Sequence, residues 1–272
     1  MGEFYIRYEF WLAAVQLALA MFGMGATLTA NDFKDVLREP RAVTLGTALQ
    51  LLELLGATVE RDDTELSLNT RNVHSVHLPY ELVKTMRGSI LMLGPLMARF
   101  GEADVSLHGG CAIGSRPVNE HITGLEAMGA EIEIEGGYIK AKASRLKGAH
   151  YVFDVPSVTA TENLIMAAAL ADGVTILENC ALEPEVEDRA LLLQSMGAKV
   201  AGAGSNTIPI EGVKTLHGAA HHVPPDRIET GTFLVAAAAT RGDITVRNTR
   251  PDFLQHVLGK LEQAGAHLEV GE

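Results

Sequence analysis

One cysteine, Cys111, stands in the stretch His108-Gly109-Gly110-Cys111-Ala112-Ile113-Gly114-Ser115-Arg116-Pro117, between a glycine pair and an arginine–proline step. Glycines permit backbone angles that other residues avoid, so the stretch reads as a shaped loop. Arg116 follows five residues later, near enough to lower the thiol pKa or to hold an anion beside it. A cysteine so placed can serve as acid or nucleophile on an anionic substrate. The same pattern fits a buried thiol next to a turn. What favours chemistry is that the loop sits inside a repeat whose other copies have no such insertion.

The repeat sets the elements that must position this loop. Four segments read Leu-x-x-x-Gly-Ala-x-aliphatic: Leu52 to Val59, Leu125 to Ile132, Leu193 to Val200 and Leu261 to Leu268. Their glycines, Gly56, Gly129, Gly197 and Gly265, recur at intervals of about 70 residues, as duplicated supersecondary units do. A second signature runs in step with the first: an apolar helix, a glycine, then a short β-branched run. It is found in Leu91 to Leu107 through Gly101, Leu164 to Leu177 through Gly173, and Phe233 to Val246 through Gly242, with a degenerate copy over Leu12 to Leu28. Gly-Ala after an amphipathic helix predicts a C-cap that turns the chain directly into a strand. Strand pairs are expected in Ala130 to Ala141, around Gly136-Gly137, and in Lys199 to Ile210, around Gly202 to Asn206. The sequence therefore predicts an α/β fold of repeated helix/strand units.

Composition narrows the partners. The chain has 272 residues, 47% of them hydrophobic, enough for one large or two modest cores. Aromatics are only 5%, so those cores must be aliphatic and alanine-rich. The net charge of −12 argues against general nucleic-acid binding, which needs a basic face. Small anionic ligands remain open, since two or three placed arginines suffice for them. The two cysteines imply no disulfide framework and hence a reducing cytoplasm; Cys180, at a strand end, reads as a buried thiol.

Trp11 to Ala30 is nearly continuous apolar sequence, about the length of a membrane span. The segment before it carries Glu3, Arg7 and Glu9, a net negative charge where a signal peptide is positive. Gly23 and Gly25 interrupt it, and it falls where a degenerate repeat copy is due. It is read as a buried helix and strand, with no membrane association.

Five blocks in order now resemble one family. They are Leu82-Val83-Lys84-Thr85-Met86-Arg87-Gly88-Ser89, the cysteine loop to Pro117, Asp154 to Asn163, Glu183-Pro184-Glu185, and Pro225-Asp226-Arg227-Ile228-Glu229-Thr230-Gly231-Thr232. From about Phe33 to Glu272 the chain resembles the UDP-N-acetylglucosamine enolpyruvyl transferases (1-carboxyvinyltransferases), which begin peptidoglycan synthesis. The resemblance implies an inside-out α/β barrel with three repeats in each of two domains. Here it implies a three-repeat domain over 11–224 and the first unit of a second domain over 225–272, with self-association through the incomplete second domain.

The resemblance also implies chemistry. Phosphoenolpyruvate and UDP-N-acetylglucosamine would be the substrates, with no cofactor and no metal. Cys111 would be the loop acid that also forms a covalent adduct with phosphoenolpyruvate and is alkylated by fosfomycin. Arg87 and Arg116 would hold anions. Arg116, Pro117, Val118, Asn119 and Glu120, with Ser157 and Val158, would grip the uridine diphosphate sugar. Glu183 and Arg227 are further candidates. Each has a plainer reading: Arg87 as a surface ion pair, Ser157 as a helix N-cap, Glu183 and Glu185 as solvated loop charges, Asp226-Arg227 as a local ion pair. The sequence departs from the family pattern in three ways. No lysine stands near Glu9-Phe10-Trp11, Asn119 replaces the usual aspartate, and the later segment with the family's base is not represented. A non-catalytic nucleotide-sugar-binding fragment and a shikimate-phosphate relative are the alternatives.

Overall fold

The computed structural model describes residues 49–62, 65–83, 87–107 and 118–271, in two compact units. The first comprises the described residues up to Ser89. Residues 49–55 are helical, with Leu51 and Leu55 buried, and Gly56 turns the chain into β1 (Thr58–Asp62). This strand pairs antiparallel with β2 (Glu65–Asn69), Thr58 opposite Asn69. The two-residue β3 (His77–Leu78) and a one-turn helix, Tyr80–Val83, follow.

The second unit, from Ile90 onward, holds the remaining strands. β4 (Glu102–Ser106), β6 (Tyr138–Lys142) and β5 (Glu131–Glu135) lie side by side, antiparallel throughout. A separate sheet runs β7 (His150–Val152), β8 (Val174–Glu178), β10 (Thr207–Glu211), β9 (Lys199–Val200), with β7 parallel to β8 and the others antiparallel. Alternate residues of these strands are buried, among them Ala103 and Val105, Ile139 and Ala141, Ile208 and Ile210. That alternation gives each sheet one face for helices to cover.

The helices are α1 (Leu93–Phe100), α2 (Asn119–Ala127), α3 (Val158–Ala168), α4 (Pro184–Ser195), α5 (Arg227–Thr240) and α6 (Gln255–Gln263). Helix α3 is the centre of its unit. Its residues from Ala160 to Ile165 are buried without exception, so it presents no solvent face, as an apolar core helix should. Thr161, Glu162 and Asn163 are polar residues inside that core.

The repeat is borne out at atomic level. Gly56, Gly129, Gly197 and Gly265 have φ of 103°, 89°, 95° and 90°, all left-handed. In each copy the glycine N–H bonds the carbonyl three residues back, and the alanine N–H that of the motif's leucine, as in Gly129 to Glu126 at 2.8 Å and Ala130 to Leu125 at 3.0 Å. This is the Schellman pattern, and it needs a residue tolerant of positive φ.

The fourth copy differs from expectation. Helices α5 and α6 form, but residues 243–247 and 267–270 are not strands. Their β-branched sequences suit a ladder, yet a strand exists only where a neighbour pairs with it, and among the described residues none does. The cap also shifts: Arg241, at φ 54°, takes the left-handed position, and Gly242 is the next residue. Only Thr230 and Gly231 of α5 are buried; Ile228, Phe233 and Val235 lie exposed. No helix among the described residues is long and apolar enough to cross a membrane, and Trp11 to Ala30 lies outside them.

Candidate functional site

Two of the predicted ligand segments meet in the second unit. Val118 precedes α2, Asn119 opens it, and Glu120 is its second residue, half-buried. The Glu120 carboxylate is committed on both oxygens: Oε2 accepts from the Tyr151 hydroxyl at 2.7 Å, and Oε1 from the Val155 N–H at 3.2 Å. Val155 lies two residues before Ser157, so this bond ties the Val118–Glu120 turn to the segment that enters α3. Thr123 Oγ1 stands 2.6 Å from the Tyr151 hydroxyl and 2.9 Å from the Asn119 carbonyl, with one hydrogen to give to either. Burial, with the hydrogen bond and charge of Glu120 behind it, pushes the Tyr151 phenol up to about 12. The ring meets Phe153 edge to face at 5.2 Å.

Ser157 caps α3 as its plainer reading has it. Its φ of −134° is extended, and its Oγ accepts from the Ala160 N–H at 3.4 Å. Val158 is the first helical residue. One residue on, Thr159 Oγ1 lies 3.4 Å from Nε2 of the buried His121. The two segments are thus joined by two contacts, one through Glu120 and one through His121.

Glu183 and Arg227 belong to a second cluster, at the starts of α4 and α5. Glu183 occupies the N-cap position of α4 without a side-chain cap bond, ahead of Pro184. Arg227 does not pair with Asp226. Its Nε and Nη2 grip Glu185 at 2.9 and 3.3 Å, while Asp226 caps α5, accepting from Ile228 and Glu229 at 2.8 and 3.3 Å. Glu185 is therefore an ion-pair partner and not a free loop charge. A shallow cavity of about 390 Å³ opens beside this pair, walled by Pro184, Pro225, Ile228 and Phe253.

Cys111, Arg116 and Pro117 lie outside the described residues; the backbone of Arg87 opens a 3-10 helix, Arg87–Met92. Cys180 is 3% exposed, and burial pushes its thiol up to about 11, which makes it the inert cysteine expected. Sequence reading missed Thr123, Tyr151, His121 and Asn163. The available signal was polarity out of place: His121 and Asn163 sit at core positions of otherwise apolar helix faces.

A family profile, EPSP synthase (3-phosphoshikimate 1-carboxyvinyltransferase), matches residues 21–272. The chain belongs to this carboxyvinyltransferase (enolpyruvyl transferase) family. It is 55% identical over 249 residues to the UDP-N-acetylglucosamine 1-carboxyvinyltransferase of Halorhodospira halophila, covering 91% of this chain and 60% of that one. It is 58% identical over 248 residues to the protein of the same name from Aeromonas hydrophila, covering 91% and 59%. The chain thus spans about three-fifths of the length of these curated relatives. Among solved structures it is similar to the enolpyruvyl transferase NikO of Streptomyces tendae, with a TM-score of 0.67 at 22% identity over 84% of this chain and 56% of that one. It is also similar to an EPSP synthase from Acinetobacter baumannii, at 0.60 and 22% over 83% and 52%. At such identities the two structures establish the shared enolpyruvyl transferase fold.

Proposed function

We propose that this chain carries the nucleotide-sugar side of an enzyme that transfers the enolpyruvyl group of phosphoenolpyruvate to the 3-hydroxyl of UDP-N-acetylglucosamine. The observation that carries the reading is the Glu120–Val155 bond. It brings together the two segments, Val118 to Glu120 and Ser157 with Val158, that the family resemblance marks for the uridine diphosphate sugar. The names of the relatives at 53–58% identity support this acceptor over shikimate phosphate.

In the proposed reaction the sugar 3-hydroxyl loses its proton to a base, its oxygen bonds to C2 of phosphoenolpyruvate, and C3 takes a proton from the acid as the C2–C3 π bond opens. The tetrahedral adduct then loses a proton from C3 and expels phosphate as its C2–O bond breaks. Cys111 is assigned as the acid toward C3, and Arg87 and Arg116 as the cations that hold phosphate and carboxylate. Because the Glu120 carboxylate is already engaged, that residue contributes its backbone and its bracing of the turn. Glu183 and Arg227 are assigned to the rim beside α4 and α5. The domain division at 224/225, a cytoplasmic location, a role in peptidoglycan and cell-wall assembly, and fosfomycin sensitivity at Cys111 belong to the same reading. Self-association is part of it as well, supported by the exposed apolar side chains of α5.

The test is calorimetric titration of purified chain with UDP-N-acetylglucosamine, followed by a phosphate-release assay with phosphoenolpyruvate and a Cys111→Ala control. Weak binding and almost no turnover are expected. No lysine stands near Glu9-Phe10-Trp11, where the resemblance expects one, and each lost electrostatic group typically costs about 10²–10³ in rate. No binding at millimolar ligand would sink the reading. Rapid turnover abolished in Cys111→Ala would show that the chain does not need that lysine.

A further inference from the structure

We propose that Asn163, acting through His121, is a positioning residue for the nucleotide-sugar segments; the inference rests on the reading that those segments bind the sugar nucleotide. Asn163 is fully buried in α3, and its amide is used completely. Oδ1 accepts the Gly94 N–H at 2.7 Å, at the start of α1. Nδ2 lies 2.9 Å from His121 Nδ1 and 3.4 Å from the Ile90 carbonyl. The amide has two N–H hydrogens, and these are its two acceptors.

Those bonds fix more than the amide. Because the Gly94 N–H can only donate, Oδ1 must face it, and Nδ2 must face His121. Nδ1 of His121 is therefore an acceptor, and the ring carries its proton on Nε2; this tautomer is assigned from the hydrogen-bond network. Nε2 then donates toward Thr159 Oγ1 at 3.4 Å. His121 directly follows Asn119 and Glu120, and Thr159 directly follows Ser157 and Val158. The chain Gly94, Asn163, His121, Thr159 thus runs behind both ligand segments and fixes the separation of the first turns of α2 and α3. The packing leaves little slack. Gly124 of α2 sits so close to Leu164 of α3 that a methyl group there would overlap it. Removing the amide takes one partner each from a buried N–H, a carbonyl and a ring nitrogen together, so the turns are free to shift.

The test compares UDP-N-acetylglucosamine affinity in wild type, Asn163→Ala, Asn163→Asp and Leu193→Ala. Leu193 is buried at the far end of α4, and its variant serves as a control for a general loss of core packing. Asn163→Ala is expected to weaken binding about tenfold, the scale of one lost buried partner, with Leu193→Ala within about twofold of wild type. In parallel, imidazole nitrogen NMR, assigned with His121→Gln, should show Nδ1 unprotonated in wild type and a His121 signal that moves as ligand is added. Asn163→Asp keeps an acceptor for Gly94 but has no amide, so the ring proton should move to Nδ1 to donate to the carboxylate, while a carboxylate oxygen now faces the Ile90 carbonyl with no hydrogen between them, and affinity should fall. If wild type does not bind, the site reading fails and takes this inference with it. If wild type binds while Asn163→Ala loses no more than Leu193→Ala, the positioning role alone is overturned. Should Asn163→Ala not fold, wild-type affinity in Asn163→Asp, or a His121 signal indifferent to ligand, overturns it equally.

Discussion

Gly94 donates its N–H to Oδ1 of Asn163 at 2.7 Å, and a Cβ on Gly94 would run into the Asn163 backbone carbonyl. Helices α1 and α3 therefore cross where only glycine fits. Two effects oppose each other in Gly94→Ala. Alanine is the better helix former by about 1 kcal/mol, while overpacking a core typically costs about 1–3 kcal/mol. The obstacle is backbone and not the end of a flexible side chain, so the steric effect should win. We expect a net loss of about 1–2 kcal/mol by urea unfolding. A more stable variant would show that the crossing has room to open.

Arg241 invites the opposite substitution. It holds the left-handed cap of α5 at φ 54°, where Gly129, Gly197 and Gly265 do the same work at their own helix ends. A side chain in that region costs about 1–2 kcal/mol, partly offset by the greater unfolded-state entropy of glycine. Arg241→Gly should stabilise the chain by about 0.5–1 kcal/mol, read as a higher urea midpoint at unchanged slope. A lower midpoint would mean that the guanidinium has a role the cap does not explain.

That pair of residues also marks what the sequence could and could not convey. The four Leu-x-x-x-Gly-Ala segments were legible because one backbone conformation, positive φ, demands one residue type. The strands beyond Gly242 and Gly265 were not, because strand formation depends on a partner elsewhere in the chain. The same division holds at the site. Ser157 was readable as a cap from its place before an apolar helix. The partners of Glu120 were hidden because Tyr151 and Val155 are more than 30 residues away. Arg227 pairs with Glu185 across 42 residues and not with its neighbour Asp226, a choice fixed by where α4 and α5 begin.

The Tyr151 phenol gives a pH signature. Its ordinary value is 10, and in the folded chain it stands at about 12. The neutral form is favoured by folding, so its contribution is fully present below pH 10 and is lost as pH rises from 10 through 12. Phenolate absorbance of the native protein should show Tyr151 ionising late, at about 12. Tyr151→Phe should abolish that late step and flatten the fall in stability over the same window. Late titration persisting in the variant would assign it to another tyrosine.

The two cysteines should separate cleanly under a thiol reagent. Cys180 is buried, its thiol raised to about 11, so at pH 8 almost none of it is thiolate, and the thiolate is the reactive species. Cys111, in its glycine-rich loop with Arg116 five residues on, is assigned the opposite character. Native chain at pH 8 should therefore titrate one thiol per molecule, and guanidinium-unfolded chain two. Peptide mapping should place the native label on Cys111, and Cys111→Ala should bring the native count to zero. Because the folded Cys180 thiol titrates above its ordinary value of 9, stability tied to it is complete below pH 9 and declines as pH rises through 11. Cys180 labelling should rise steeply only in that range. Native labelling of Cys180 at pH 8, with Cys111 untouched, would remove the acid from the proposed mechanism and leave the chain as a binding fragment.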